Sequence, residues 1–395
     1  MTFCIYLFII ETISTLGALP LLIFFSLFLK NFFSVPIFSI GMIISVFIFL
    51  EFALSIFISK LFSKYNNMIT TLKWLYLIKG IIIIGLFFTT KLVSGFLLFG
   101  MMLYIITAFT GPMLNTLCIK SINYLSQSSS QINILIYFHA IINFMFLCAI
   151  NLGLFFIEKG LYSKLILLSS ILIFICYFCL RHVSSKFNFH SIVHNTKETL
   201  VLKNTFFSFR VVSILICNAI VLDILSKVRH TFLSIDMTSA YDVLTYRNVE
   251  NIYSAAIFIV LALIFVFKKY LKLYSRNFYC IVFILGFIFI SIGYMALAIH
   301  ISIIYLYIGI FLMSSGYCII KLQNDFILMH YKIKYILRYK GYIRLLIACI
   351  SLFIVTFSGY IAHHYGYNTL WILISIFIFF LSILYSILYR YRGEN

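Results

Sequence analysis

Residues 3–29 read FCIYLFIIETISTLGALPLLIFFSLFL, an almost unbroken apolar run that contains one carboxylate, Glu11. A helix needs about 20 apolar residues to cross the hydrocarbon core of a bilayer, and this run is long enough. It has no basic leading region and no small-residue cleavage site, so we interpret it as a retained span rather than a signal peptide. The run predicts a transmembrane helix close to the N-terminus.

The whole chain is also rich in hydrophobic residues and poor in charged ones. Of its 395 residues, 64% are hydrophobic and 10% are charged, and the mean hydropathy is +1.13. A soluble domain carries about 25% charged residues, so water cannot be the main solvent of this chain. The apolar runs are long and do not alternate with period two, which favours membrane-spanning helices over a barrel. The sequence therefore predicts an all-α membrane protein.

The chain contains about twelve such runs, which a central polar stretch divides into two sets of six. Residues 1–180 form the predicted N-terminal half, residues 181–210 a basic cytoplasmic linker, and residues 211–395 the predicted C-terminal half. The runs lie at 3–29, 35–59, 70–90, 93–118, 131–157, 161–180, 211–234, 250–267, 278–299, 301–320, 341–362 and 369–389.

The distribution of basic residues predicts the orientation of these spans. With the N-terminus inside the cell, 21 of the 29 lysines and arginines fall in inner loops, the linker or the tail, and seven fall outside. Basic residues accumulate on the cytoplasmic side of membrane proteins, so we expect both termini to be cytoplasmic. We attribute the net charge of +19 to this bias and to contact with acidic lipid headgroups rather than to nucleic acid. The predicted location is the bacterial cytoplasmic (inner) membrane.

Two six-helix halves joined by a basic inner linker are similar to the layout of the major facilitator superfamily. In that superfamily the substrate binds near the bilayer midplane between the halves, so the resemblance implies a transporter. Flippases of lipid-linked oligosaccharides share the same coarse layout and remain the alternative at this point.

Glu11 lies near the middle of the first span, where a charged side chain needs a partner, a water-filled cavity or a function. Ser14 and Thr15 follow one helical turn later, so a hydroxyl shares the face of the carboxylate. The pattern indicates a proton or cation site, or else a neutral glutamic acid packed between helices.

Glu51 and Lys79 lie at similar depth in the second and third spans, on the two sides of the turn near residues 63–67. A buried carboxylate and a buried ammonium at one depth can neutralise each other. We therefore predict a structural ion pair across this hairpin.

Polar residues recur with helical spacing in two further spans. His139 and Asn143 are four residues apart in the fifth span, and we assign them as candidate substrate or coupling residues. Their alternative role is hydrogen-bonded packing. The seventh span has a polar stripe that either lines a cavity or forms a solvated end, and it consists of Asp223, Ser226, Lys227 and His230.

Two short motifs resemble the proton-coupled oligopeptide transporters. Residues 11–17, ETISTLG, are similar to the first-helix signature E-x-x-E-R-F-x-Y-Y-G in its second Glu and its Gly. Residues 138–143, FHAIIN, are similar to the family's F-Y-x-x-I-N-x-G. Phe8 replaces the first Glu and Thr12 the Arg, and the tenth span carries Gly316 followed by Tyr317 where the family has Gly-Glu. The resemblance implies proton coupling at Glu11, with a peptide or an amino acid as substrate.

These observations predict a secondary active transporter that moves a small solute by alternating access, with a proton or another cation as the coupling ion. A membrane-bound transferase would need a substantial outer loop with clustered polar groups, and the one candidate is the stretch 236–250. No metal-ligand spacing, phosphate loop or nucleophile motif occurs in the sequence, so we expect no enzyme activity, no metal and no cofactor. The expected partners are the solute, the coupling ion and membrane lipid, and not nucleic acid.

Overall fold

The computed structural model describes residues 2–64, 68–125, 128–186, 209–267, 276–299, 302–329 and 333–390. Most of these residues are helical, and none of them forms a strand. The helices are α1 (Thr2–Ile23), α2 (Phe25–Phe33), α3 (Ile37–Lys64), α4 (Met68–Phe88), α5 (Val93–Leu125), α6 (Ser128–Glu158), α7 (Tyr162–Lys186), α8 (Phe209–Ala219), a π-helical segment (Ile220–Leu225), α9 (Ser226–Ala240), α10 (Val243–Phe267), α11 (Arg276–Ile299), α12 (Ile303–Met329), α13 (Ile333–His364) and α14 (Gly366–Arg390).

Ten helices in the described part of the chain are long and apolar enough to cross a membrane, and α11 adds a shorter apolar stretch, Ile284–Ile299. The prediction of an all-α membrane protein is confirmed. The total of twelve spans and the cytoplasmic position of both termini stay predictions. Most of the predicted linker, residues 187–208, lies outside the described residues, but its ends are helical because α7 continues to Lys186 and α8 begins at Phe209.

The first predicted span is broken into two helices at Phe24, whose backbone has φ −92° and ψ 6°. Pro20 lies four residues earlier inside α1 and lacks the N–H that a continuous helix would use. The Phe24 ring packs against α6, where a Cβ on Gly153 would lie 2.4 Å from Phe24 Cε2. Glycine at position 153 is therefore what lets the bend of the first span approach α6.

The seventh predicted span is one continuous helix, which we call the rod, and its middle section is π-helical instead of α-helical. The flanking residues Ala219 and Ser226 both have right-handed helical backbone angles, so α8, the π segment and α9 run on without a break. A π segment inserts an extra residue into a turn and reorients the side chains around it, and such segments occur frequently at functional sites. Asp223 lies within this segment.

We name the helices before residues 187–208 the N-terminal group (α1–α7) and those after them the C-terminal group (α8–α14), and the two groups meet chiefly along α3 with α13 and α6 with α10. Gly41 of α3 and Gly359 of α13 face each other directly, and a Cβ on Gly41 would lie 2.9 Å from Gly359 Cα. Small residues allow membrane helices to approach this closely. The two groups therefore touch backbone to backbone at this point.

Candidate functional site between the two helix groups

A cavity of about 350 Å³ lies between the two helix groups. Its wall is formed by α5 and α6 from the N-terminal group and by α8, the π segment, α9, α10, α12 and α13 from the C-terminal group. Polar groups make up much of this wall, although most of the chain is apolar. They are Asn115, His139, Asn143, Asp223, Ser226, His230, Tyr253, Tyr317, Lys321, Asn324 and Asp325.

The structure brings together several of the candidates chosen from the sequence. His139 and Asn143 reach the cavity from α6, and Asp223 reaches it from the π segment. Ser226 and His230 follow on the same face of the rod, so the polar stripe lines a cavity along most of its length. Asn143 Nδ2 also donates to the Ser254 carbonyl oxygen at 3.0 Å, which ties α6 to α10.

Glu11, Ser14 and Thr15 are placed differently, because none of them belongs to the cavity wall. Ser14 Oγ accepts a hydrogen bond from Tyr76 Oη at 2.8 Å, and Thr15 Oγ1 donates to the Glu11 carbonyl oxygen at 2.8 Å. Neither hydroxyl bonds to the Glu11 carboxylate, and no described residue donates to it. Lys321 and Lys79 are the cations that act on it electrostatically.

The predicted Glu51–Lys79 ion pair is wrong. Glu51 Oε2 pairs with Lys227 Nζ at 2.5 Å, so the acid of α3 binds a base of α9 in the other helix group. Lys227 therefore does not line the cavity, although it belongs to the polar stripe that otherwise does. Lys79 is buried and donates a long hydrogen bond of 3.4 Å to Thr110 Oγ1. In the described part of the chain no carboxylate pairs with it.

His139 and Asp325 form a second contact between the groups, within the cavity wall. His139 Nε2 lies 3.2 Å from Asp325 Oδ2, and both side chains are 6% exposed. This contact is an ion pair when the imidazole is protonated and a weaker interaction when it is neutral. Asp325 was not selected from the sequence, since it follows the tenth apolar run among residues assigned to an inner loop.

A buried Arg229–Glu250 pair lies behind the cavity wall. Arg229 Nη2 donates to both carboxylate oxygens of Glu250, at 2.6 and 2.8 Å. The Arg229 guanidinium also lies 3.9 Å from the centre of the Tyr253 ring, which does line the cavity. Neither charged residue was selected as a candidate from the sequence, although they lie in the predicted runs 211–234 and 250–267. The spacing of Glu250 to Tyr253, one helical turn, was the available signal for a shared face.

The stretch 236–250, which we considered as an outer loop, is almost entirely helical. α9 continues to Ala240, and α10 begins at Val243. Asp236 is buried, and its Oδ2 accepts a hydrogen bond from Trp371 Nε1 at 3.0 Å. The stretch therefore forms helix ends that pack, and it offers no loop on which a transferase site could be built.

The two groups also touch at the end of the molecule that holds α2 and the α9–α10 turn. Lys30 Nζ donates to Ser239 Oγ at 2.6 Å, and Arg247 Nη2 pairs with Glu158 Oε2 at 2.8 Å. Partial burial lowers the pKa of Lys30. In the turn itself the exposed Asp242 carboxylate accepts a hydrogen bond from the Thr245 N–H at 2.7 Å. Hydrogen bonding with the Thr245 side chain and with this N–H lowers the pKa of Asp242.

No group of three or more His, Cys, Asp and Glu side chains within the described ranges could hold a metal ion. The polar residues of the cavity wall alternate with apolar ones such as Leu215, Leu222 and Ile257. An arrangement of this kind can bind and orient a small polar solute, since small-molecule sites combine apolar walls with a few placed polar groups.

Comparison with known proteins gave results at the level of structure. No protein-family model matches the sequence, and no curated protein matches it. An auto-inhibited POT family peptide transporter superposes with a TM-score of 0.65 at 12% identity, covering 100% of this chain and 98% of that chain. A bacterial homologue of the iron transporter ferroportin superposes with a TM-score of 0.70 at 13% identity, with coverage of 99% and 100%. The chain has the major facilitator fold.

A third solved structure agrees with this fold assignment. The nucleoside transporter NupG superposes with a TM-score of 0.66 at 15% identity, covering 99% of this chain and 100% of that chain. The names of these three proteins refer to peptides, iron and nucleosides, although the fold is shared. The fold alone therefore does not specify the solute of this chain.

Proposed function

We propose that this protein is a secondary active transporter that moves a small solute across the membrane by alternating access. The observation that carries the proposal is the cavity of about 350 Å³ between the two helix groups, with a polar wall in a chain that is apolar elsewhere. Polar groups at membrane depth are costly, and they occur mainly where they line a substrate path or meet a partner. The fold, which this chain shares with solute transporters, agrees with this function.

The proposed moving units are the predicted halves, residues 1–180 and 211–395. In the structure the groups touch near Glu158–Arg247 and Lys30–Ser239, and the cavity lies nearer the opposite helix ends. With a cytoplasmic N-terminus, the closed end is outside and the cavity opens toward the cytoplasm. Rocking of the halves would break the outer contacts and expose the same cavity on the other side.

We assign the coupling proton to Glu11. Its carboxylate receives no hydrogen bond from a described residue, and Lys79 and Lys321 are the charges that act on it. Lys321 also lines the cavity, so a proton on Glu11 changes the electrostatic balance at the solute site. Binding of a proton can then shift the populations of the two states without direct contact between the proton and the solute.

The flippase alternative requires a large cationic cavity for a pyrophosphate lipid. The cavity here contains two carboxylates, Asp223 and Asp325, and one lysine, Lys321. Carboxylates in the wall would repel a pyrophosphate group, and a volume of about 350 Å³ is at the lower end of sites for small molecules. The small-solute function fits these observations better.

Uptake into proteoliposomes tests the transport function and its coupling. We expect at least one radiolabelled solute from a panel of dipeptides, amino acids and nucleosides to accumulate when an inward proton gradient is imposed. Glu11→Gln should retain solute exchange across equal solutions and lose gradient-driven accumulation. Asp242→Asn, which removes an exposed carboxylate from the α9–α10 turn, is the control and should retain coupling to the gradient. Accumulation by Glu11→Gln equal to that of the unmodified protein would remove the assignment of Glu11.

A further inference from the structure

One part of the cavity wall is aromatic and is built from two helix groups. Phe146 of α6 lies with its ring centre 5.8 Å from that of His230 and 6.1 Å from that of Tyr253. All three residues line the cavity, and we call them the aromatic wall. Aromatic rings that line a cavity can stack with a planar solute.

The aromatic wall is held in place from behind. The Arg229 guanidinium lies 3.9 Å from the Tyr253 ring centre and is fixed by its two hydrogen bonds to Glu250. A cation already occupies one face of this ring, so the π-electrons of Tyr253 are less available to a second cation. The wall therefore disfavours a cationic solute and accepts a neutral ring.

Apart from His139 Nε2 and Asp325 Oδ2, which contact each other, two buried polar atoms of the cavity lining have no hydrogen-bond partner within the described ranges. They are Asn115 Oδ1, which is an acceptor, and His230 Nδ1. A buried polar atom without a partner costs free energy, so a solute that supplies the missing hydrogen bonds gains affinity. Asn143 differs, because its amide nitrogen already donates to Ser254.

The charged side chains of the cavity do not single out one sign of solute charge. Asp325 is in contact with His139, and Lys321 is exposed in the same wall as Asp223. A solute with a net charge would meet a group of the same sign. A neutral solute avoids this repulsion and still finds donors and acceptors along the wall.

From these contacts we infer that the transported solute is a nucleoside or a nucleobase-like molecule, an uncharged planar heteroaromatic ring that stacks on the aromatic wall and bonds to Asn115. This inference rests on the proposed transport function and names its substrate class. A nucleobase offers the flat face that Phe146 and Tyr253 need, and its edge carries both donors and acceptors. A cavity of about 350 Å³ is of the size found for small-molecule sites.

Equilibrium binding to the full chain in lipid nanodiscs tests the inference. The probes are radiolabelled uridine and adenosine, with alanyl-alanine as a zwitterion and tetraphenylphosphonium as an aromatic cation. We expect a nucleoside to bind and both comparison probes to bind at least tenfold more weakly. Phe146→Ala should weaken nucleoside binding about tenfold or more, because the stacking of the base on this aromatic side chain is lost.

Matched variants separate stacking from folding. Phe146→Tyr keeps the ring and should retain binding, and Phe155→Ala removes a 48% exposed ring from the same helix and should have no effect. Asn115→Leu removes the unpartnered acceptor and should weaken binding several-fold even if Phe146→Ala does not fold. Helical circular dichroism and thermal unfolding of each variant check that the protein is intact.

The outcomes distinguish this inference from the transport function. Binding of alanyl-alanine or tetraphenylphosphonium in preference to both nucleosides overturns the substrate class and leaves the transport function standing. Failure of both nucleosides to bind also overturns the class, and the uptake panel then decides the transport function separately. Nucleoside binding that is unchanged in both Phe146→Ala and Asn115→Leu places the site elsewhere and overturns the inference.

Discussion

Lys227 Nζ lies 2.5 Å from Glu51 Oε2, and this ion pair joins the rod of α8 and α9 to α3 in the other helix group. Lys227 also lies 5.1 Å from the centre of the Tyr104 ring. The pair is partly shielded from solvent, with the Lys227 and Glu51 side chains 29% and 9% exposed. It therefore ties the two groups together at a depth where water screens charges poorly.

Replacing one member of this ion pair should lower the free energy of unfolding more than replacing both. Lys227→Met leaves the Glu51 carboxylate buried without a counter-ion. We expect the free energy of unfolding to fall by roughly 2 kcal/mol, which is less than the roughly 3–5 kcal/mol for breaking a fully buried pair. The Glu51→Gln/Lys227→Met double variant should recover part of that loss. Thermal unfolding in detergent measures both. Equal and additive losses would show that the two side chains do not interact.

The contact between Gly41 and Gly359 predicts that position 41 does not tolerate a side chain larger than that of glycine. Gly41→Ala places a methyl group 2.9 Å from the Gly359 Cα, and backbone atoms cannot move aside cheaply. We expect a destabilisation of about 1–3 kcal/mol, the usual cost of overpacking. Gly111→Ala is the matched control, since its Cβ would meet nothing within 4 Å. A stable Gly41→Ala variant with unchanged unfolding temperature would contradict the close approach.

The His139–Asp325 contact predicts that the two residues act as a unit. Asp325→Asn and His139→Gln should each lower the rate of solute uptake, because each leaves a buried polar partner across the group boundary. The double variant should be no slower than the slower single variant. Initial uptake rates in proteoliposomes provide the measurement. Rate losses that multiply in the double variant would argue that the residues act independently.

The Asp242 carboxylate predicts a pH-dependent contribution to the stability of the protein. Its pKa is lowered by hydrogen bonding with the Thr245 side chain and by the hydrogen bond from the Thr245 N–H, so the ionised form stabilises the start of α10. This contribution is present above the usual pKa range of Asp and is lost as the pH falls through the lowered pKa. Asp242→Ala should lower the unfolding temperature at neutral pH and have little effect at low pH. Asp242→Asn should lose less, since an amide oxygen also accepts.

Much of the fold could be predicted from composition and run length. Lipid as solvent requires long apolar helices, and the described helices follow the predicted runs closely. The polar stripe from Asp223 to His230 was visible because helical periodicity places those residues on one face. His139 and Asn143 were found by the same rule.

The ion pairs that could not be predicted from the sequence share one physical cause. Depth along two adjacent spans suggested that Glu51 faces Lys79, but depth says nothing about rotation around a helix or about a partner 176 positions away in the chain. Arg229 and Glu250 lie close to the ends of predicted runs, where a charged side chain normally meets water, so their burial was not predicted. Their mutual hydrogen bonds are what allow them to be buried, and only the folded structure supplies that pairing.

The distance between Glu158 and Arg247 tests the alternating-access account most directly. Spin labels at these two positions, in protein reconstituted in lipid, should give two populated distances whose ratio changes when the transported solute or the pH is changed. Labels at Asn31 and Tyr162, which contact each other at the same end within the N-terminal group, should give one unchanging distance. A single short distance for the Glu158–Arg247 pair under every condition would contradict the account.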